Sequence, residues 1–257
     1  MRLLAMVLLV LGLAGCASAP SNDSMGDNSQ NMTRAEAIAK VHTELAAAYY
    51  QRHQYAVSLQ EIATALQYQS DYAQAYNVRG LVHMQLMEDK QAEQDFLHSL
   101  RLDPHSSETQ NNYGWFLCQR GREQESVKYF LEAVKNPLYS TPERAYLNAG
   151  ICSEKAGDLK KAEFYLQKSL ILVPNMPDAL VALADVNYAK GDYAGAKSYF
   201  LRFEQWNNAQ LTAANLWLAV RIERKLGDAN AEASYALQLR KNFPDSRETQ
   251  LMLQVPQ

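Results

Sequence analysis

Histidine and serine side chains can carry metal-binding or nucleophilic chemistry, but here their spacing forms no such site. The five histidines lie at unrelated positions: His42, His53, His83, His98 and His105. No two of them have the separation that would place both on one helix face as metal ligands. The sequence has no glycine-rich phosphate loop and no Gly-x-Ser-x-Gly nucleophile turn. We therefore expect a protein that is not an enzyme and uses no metal, cofactor or small-molecule substrate.

The three cysteines are the remaining candidates for chemistry. Cys16 directly follows an apolar N-terminal segment, whereas Cys118 and Cys152 lie 34 residues apart in the body of the chain. A redox-catalytic role is disfavoured because no Cys-x-x-Cys motif is present. Cys118 and Cys152 could form a disulfide or remain two buried free thiols, and the choice depends on the elements that carry them and on the redox compartment.

The N-terminal segment has the features of an export signal. A basic start at Arg2 precedes the apolar stretch from Leu3 to Ala14, which is too short to span a bilayer. The sequence Leu13-Ala14-Gly15-Cys16 resembles the lipobox of bacterial lipoproteins. This resemblance implies cleavage before Cys16 and covalent lipid on its sulfur. Ala17, which stands where inner-membrane retention usually requires aspartate, implies the outer membrane. The alternative is an ordinary secretory signal with a chance cysteine.

The segment after Cys16 is polar and predicts a tether. It contains Ser, Asn, Asp and Gly and has almost nothing apolar to bury. We therefore divide the chain into a signal peptide (1–15), a lipidated flexible tether (16–33) and a folded domain (34–257). The net charge of −3, without a Lys/Arg cluster, argues against nucleic acid and anionic lipid as partners.

A period of about 34 residues runs through the folded domain and resembles the tetratricopeptide repeat. Each unit has small residues at positions 8 and 20 and a large residue at position 24. The units cover about 39–72, 73–106, 107–140, 143–176, 177–210 and 212–245. The pattern predicts an all-α, right-handed superhelical solenoid of about six helix-turn-helix repeats, in which stacking buries each apolar face.

Turn residues support this division. The pairs Gly157-Asp158, Gly191-Asp192 and Gly227-Asp228 predict the turns between paired helices, and prolines 104, 174 and 244 should follow second helices. The segment from Asn136 to Pro142 interrupts the rhythm with two extra residues. It is either a tolerated loop insertion or a bend that contacts a partner.

The repeat places Cys118 and Cys152 at unit positions 12 and 10 of neighbouring first helices. First helices of adjacent units pack side by side, and the periplasm is oxidising. We therefore predict a disulfide between them, with two buried free thiols as the alternative.

Several stretches go beyond the general repeat pattern. The chain resembles the type IV pilus biogenesis and stability lipoproteins, the pilotin-type (PilF/PilW) family, in five stretches: residues 41–45, 111–118, 136–139, 148–152 and 216–218. The resemblance implies a lipid-anchored outer-membrane protein that binds the pilus secretin and promotes its localisation and multimer assembly. Two alternative roles are a periplasmic scaffold for outer-membrane protein assembly and a regulator of cell-wall enzymes.

First helices of stacked repeats line a concave groove. The groove positions of the units predict a partner-binding surface formed by nine residues: Ala47, Tyr50, Asn77, Leu81, Met84, Asn111, Trp115, Ile151 and Tyr188. Asparagine amides there can pair with a peptide backbone, and Trp and Tyr are common binding anchors. We expect the secretin at the first two units, which are closest to the lipidated end.

Overall fold

The computed structural model describes residues 32–206 and 211–254, and within these ranges the chain is helical with no strand. The predicted signal peptide, Cys16 and almost all of the tether lie outside the described residues. The helices are α1 (Arg34–Gln51), α2 (Tyr55–Tyr68), α3 (Ala73–Gln85), α4 (Asp89–Leu102), α5 (Ser107–Gln119), α6 (Glu123–Ala133), α7 (Pro142–Lys155), α8 (Leu159–Leu172), α9 (Pro177–Lys190), α10 (Tyr193–Trp206), α11 (Ala213–Leu226), α12 (Ala229–Asn242) and α13 (Arg247–Gln254).

The first twelve helices form six antiparallel hairpins stacked in chain order, which confirms the predicted all-α repeat solenoid. The first helices of the second to sixth hairpins begin within one residue of the unit starts inferred from the sequence. Helix α1 begins at Arg34, five residues before the inferred start at Ala39. Helix α13 follows the sixth hairpin and was not distinguished in the sequence.

The small and large repeat positions meet where the two helices of a hairpin cross. A Cβ atom on Gly80 would lie 2.8 Å from the Phe96 ring, and one on Gly150 would lie 2.5 Å from Leu166 Cγ. Glycine therefore lets the backbones approach until the large side chain of the second helix touches the first helix. Phe96 and Leu166 are fully buried.

The turns within hairpins require a left-handed backbone. Gly157 has φ of 79°, and Asp158 next to it caps α8 by accepting a hydrogen bond from the Lys161 backbone N–H. The first two hairpins have no glycine at the equivalent point, where His53 and Met87 take the left-handed conformation with φ of 59° and 62°. These two side chains carry a local conformational cost that glycine avoids.

The stacking makes the domain concave on one side. Each first helix contacts the first helix of the next hairpin, from α1 and α3 to α9 and α11. In the described ranges, successive second helices do not contact one another. The first helices therefore line the inner surface, and the second helices lie further apart on the outer surface.

Helix α13 closes the C-terminal end of the stack. Met252 is buried against Leu216, Val220 and Leu239 of the sixth hairpin. Because the last hairpin has no following repeat, its apolar face needs such a cap. None of the described helices is long and apolar enough to cross a membrane.

A disulfide joins the third hairpin to the fourth. Cys118 on α5 and Cys152 on α7 are bonded, so the two sulfurs that the repeat spacing predicts to pair are paired in the structure. A cross-link over 34 residues should stabilise the fold by about 3–4 kcal/mol, chiefly through the unfolded state. The longer connection before α7 packs Tyr139 against this region, while Leu138 is 88% exposed.

Candidate partner-binding grooves

The N-terminal half of the concave surface contains a groove of about 480 Å³, formed entirely by first helices. We call it the N-terminal groove. Its lining comes from α1, α3, α5 and α7: Ala47, Tyr50, Gln51, Asn77, Val78, Leu81, Glu108, Asn111, Asn112, Trp115, Arg144 and Asn148. Six of the nine residues predicted from the repeat positions therefore come together here: Ala47, Tyr50, Asn77, Leu81, Asn111 and Trp115.

Two asparagine pairs run across this groove from one unit to the next. The Asn112 amide donates to Asn77 Oδ1 at 3.1 Å, and the Asn148 amide donates to Asn111 Oδ1 at 3.0 Å. Each contact uses only one polar atom of each side chain. The Nδ2 group of Asn111 can therefore still donate a hydrogen bond, and Oδ1 of Asn148 can still accept one. A peptide backbone in the groove could use both groups.

Tyr50 forms the wall of the groove near the first unit. Its hydroxyl accepts a hydrogen bond from the Gln85 side chain at 3.3 Å, and its ring lies 6.1 Å from that of Tyr55. Burial raises the pKa of Tyr50, so the hydroxyl stays neutral and available as a donor. The half-buried ring is thereby held in place with one edge toward the groove.

A second groove of about 520 Å³, the C-terminal groove, lies further along the concave surface. Helices α7, α9 and α11 form most of it. Its lining is Trp115, Arg144, Leu147, Asn148, Ile151, Glu154, Asp178, Val181, Ala182, Asp185, Ala214, Asn215, Trp217, Leu218, Arg221 and Glu248. Trp115, Arg144 and Asn148 belong to both grooves. Ile151, another predicted residue, lies only in this one.

Acidic groups outnumber basic ones in the C-terminal groove. Arg221 reaches Asp185 at 3.3 Å, and its guanidinium lies 4.7 Å from the Tyr188 ring centre. Its buried Nε has no hydrogen-bond partner among the described residues. Burial, together with the charge of Asp185, raises the pKa of Glu154 to about 7.

The structure places two of the nine predicted groove residues elsewhere. Met84 is buried in a core cluster with Phe116 and Leu117, and its carbonyl accepts a hydrogen bond from Arg120. Tyr188 packs against the core of the fifth and sixth hairpins beneath Arg221. Both occupy unit position 12, as Tyr50 does, but residues of the next first helix cover these two side chains. The groove prediction was therefore wrong for Met84, which is buried, whereas for the half-buried Tyr188 it stays a prediction.

The repeat positions did not predict several other residues that line the grooves. Asn112 and Asn148 stand at unit position 6, and each pairs with position 5 of the preceding unit. An asparagine at position 5 followed by one at position 6 of the next unit was the signal available for them. Trp217, Arg221 and Glu154 had no comparable signal, because their exposure depends on how α11 sits against α9.

Histidines take no part in either groove. His42 contacts Glu61 and His83 contacts Glu88, both as local pairs. Over the described residues, no group of three His, Cys, Asp or Glu side chains could hold a metal ion. Buried charges away from the grooves are paired, as in the two-bond contact of Arg79 with Asp95 at 2.6 and 2.9 Å.

Comparison with known proteins agrees with the repeat fold and indicates a biological process. A tetratricopeptide repeat family model matches residues 43–107. The type IV pilus assembly protein PilF of Pseudomonas aeruginosa is 30% identical over 244 residues, which cover 95% of this chain and 94% of PilF.

Two solved structures extend the similarity. The crystal structure of PilW, a widely conserved type IV pilus biogenesis factor, superposes with a TM-score of 0.79 at 37% identity, covering 84% of this chain and 98% of PilW. The PilF structure from Pseudomonas aeruginosa gives a TM-score of 0.78 at 28% identity, covering 86% of this chain and 99% of PilF.

Proposed function

The chain belongs to the family of type IV pilus biogenesis proteins that includes PilF and PilW, and from this we propose that it acts as a pilotin. In this role it binds the pilus secretin and promotes localisation and multimer assembly of the secretin in the outer membrane. Pilus biogenesis and twitching motility then depend on it. The protein works by holding a client protein and catalyses no reaction.

The N-terminal groove is the observation that carries this proposal. It combines two aromatic anchors, Tyr50 and Trp115, with the apolar side chain of Leu81 and the asparagine pairs. Aromatic side chains supply much of the binding energy in protein interfaces, while amides hold an extended backbone in register. We propose that a segment of the secretin occupies this groove.

We further propose that lipid on Cys16 anchors the protein to the periplasmic face of the outer membrane. A tether of residues 16–33 would have an end-to-end span of roughly 20–25 Å, close enough for the folded domain to meet a secretin at the membrane. Several acyl chains hold far more firmly than one, since each buried methylene adds about 0.8 kcal/mol. Metabolic labelling with palmitate, lost in Cys16→Ser, tests this anchor.

The binding site is tested with Tyr50→Glu combined with Leu81→Glu. A charge at either position must be desolvated when a partner fills the groove, so we expect secretin binding to weaken at least about tenfold. The matched control is Tyr68→Glu with Leu237→Glu, which changes the same residue types at exposed positions outside both grooves.

Binding to the purified secretin and the level of secretin multimers in cells are the two measurements. Circular dichroism and thermal unfolding establish that both double variants are folded. Normal secretin binding and normal multimers with a folded Tyr50→Glu, Leu81→Glu protein would show that the groove is not the site. Normal multimers after deletion of the gene would contradict the pilotin role itself.

A further inference from the structure

The C-terminal groove adjoins the groove assigned to the secretin, with which it shares Trp115, Arg144 and Asn148, and continues along the first helices to α11. Its floor and walls come from α7, α9 and α11, and it has apolar contacts in Ile151, Val181 and Trp217. Its position and its charge both differ from those of the N-terminal groove. A partner in it need not compete with one bound at Tyr50 and Leu81.

The Glu154 carboxyl group lines this groove and has no counter-charge paired with it among the described residues. Within the described ranges, Glu154 has no ion pair and no hydrogen-bond partner for its side chain. Burial and the like charge of Asp185 both raise the pKa of Glu154. Arg221, which could have neutralised it, is directed at Asp185 and lies over Tyr188.

The whole lining has a surplus of negative charge. Glu154, Asp178, Asp185 and Glu248 are acidic, whereas only Arg144 and Arg221 are basic. A desolvated carboxylate without a partner is costly, and a cation placed beside it removes that cost. Above pH 7, where Glu154 is ionised, a cation that enters the groove would supply the counter-charge that the lining does not give this carboxylate.

We propose that the C-terminal groove binds a segment of a second protein through an arginine or lysine side chain whose cation reaches Glu154. The apolar residues flanking that cation contact Ile151, Val181 and the Trp217 ring. The aliphatic stem of a long basic side chain suits such walls, because it can lie on apolar surface while its charged end is bound. The Trp217 indole, which lines only this groove, offers a face for a flanking apolar side chain.

Other occupants fit less well. An acidic segment would bring a third negative charge close to Glu154 and Asp185. A purely apolar segment would bury the Glu154 carboxylate further and leave it without a partner. Of these three classes, only a basic segment gains a favourable charge contact at Glu154, while Arg221 keeps Asp185 as its partner.

The test uses four pools of acetylated, amidated decapeptides that differ only in a fixed central residue: arginine, lysine, citrulline or glutamate. The flanking positions are mixtures of Leu, Ile, Phe, Ser and Gln. The pools are passed over immobilised full-length protein at pH 8, where Glu154 is ionised because its pKa is about 7. We expect the arginine and lysine pools to be retained at least roughly fivefold more than the citrulline and glutamate pools.

Glu154→Gln should reduce this ratio to about one, because the amide keeps the shape of the side chain and removes its charge. Glu44→Gln on α1, which is exposed and outside both grooves, is the matched control and should retain the preference. Equal retention of the four pools, no retention of any pool, or an unchanged preference in folded Glu154→Gln would overturn the proposal.

Tyr50→Glu with Leu81→Glu separates this site from the proposed secretin site. If both proposals hold, that variant loses secretin binding and keeps the preference for basic peptides. A second outcome is that the double variant loses secretin binding while the unmodified protein shows no preference for basic peptides. This outcome would support the N-terminal site and contradict the C-terminal one.

Discussion

Glu154 links the charge of the C-terminal groove to the stability of the fold. Its pKa is raised from 4.5 to about 7, so the folded protein holds a proton that the unfolded chain releases. Titration of this residue should therefore decrease the free energy of unfolding as the pH rises from about 4.5 to about 7. The pKa shift sets an upper limit of about 3 kcal/mol on this loss of stability, and solvent screening of a partly exposed group makes the actual loss smaller.

Glu154→Gln should remove this pH dependence. We expect the variant to be more stable than the unmodified protein by roughly 1–2 kcal/mol at pH 8 and to differ little from it at pH 5. Urea unfolding at both pH values measures the difference. Comparing variant with parent cancels the contributions of all groups that both proteins share, and the other charges that line the groove, including Asp185 and Arg221, are unchanged. An identical pH slope in the two proteins would contradict the prediction.

Single residues show where sequence reasoning succeeds and where it stops. Tyr50 and Met84 both occupy unit position 12, yet Tyr50 lines a groove and Met84 is buried beneath the next unit. The repeat pattern fixes which helix face a residue is on, but not how far the following helix covers it. Glu154 illustrates the same limit, since the charge that raises its pKa, that of Asp185, belongs to α9 and not to its neighbours in the sequence.

The sequence predicts the pairing of helices more completely than it predicts the burial of single residues. The alternation of small and large residues predicted every hairpin crossing, because a close backbone approach requires a glycine, alanine or serine on one side. The turns within the hairpins were predicted less completely. His53 and Met87 adopt the left-handed conformation that glycine takes in later hairpins, so the first two turns had no glycine to reveal them.

Gly150→Ala tests the crossing of α7 and α8. The added methyl group would lie 2.5 Å from Leu166 Cγ and 2.7 Å from its Cδ2, so the Leu166 side chain or one of the two helices must move. Overpacking of this kind costs about 1–3 kcal/mol, and we expect that loss in the free energy of urea unfolding. The fifth hairpin carries alanine naturally at this position, Ala184, opposite Phe200.

A double-mutant cycle provides the control for that prediction. Leu166→Ala alone leaves a cavity and should cost about 2–5 kcal/mol. Combined with Gly150→Ala, it gives the new methyl group room, so the double variant should lose at least about 1 kcal/mol less than the sum of the two single variants. Simple additivity would mean that the cost of Gly150→Ala does not arise from its contact with Leu166.

At the scale of the whole molecule, the fold is a chain of nearest-neighbour contacts. Each hairpin packs on the hairpins before and after it, so stability depends on the ends being covered. The repeat pattern predicted the number of hairpins, but the short polar sequence of α13 carries no repeat signature and its role became visible only through Met252. The disulfide between α5 and α7 fixes the middle of the stack.

Removal of α13 should therefore loosen the stack from one end. Truncation after Ser246 exposes Leu216, Val220 and Leu239, which Met252 now covers. We expect amide exchange in α11 and α12 to accelerate at least about tenfold, while α5 to α8 keep their protection because the disulfide and two neighbouring hairpins hold them. Hydrogen exchange with mass spectrometry resolves the two regions in one experiment.

Two point variants within α13 separate the loss of the cap from the loss of chain length. Met252→Ala removes the buried contact and should reproduce part of the acceleration in α11 and α12, whereas Leu253→Ala changes a side chain that is 66% exposed and should leave exchange unaltered. Faster exchange spread evenly over all hairpins would indicate that the solenoid unfolds as one unit. Exchange confined to α11 and α12 would establish that each hairpin depends for its stability on its immediate neighbours.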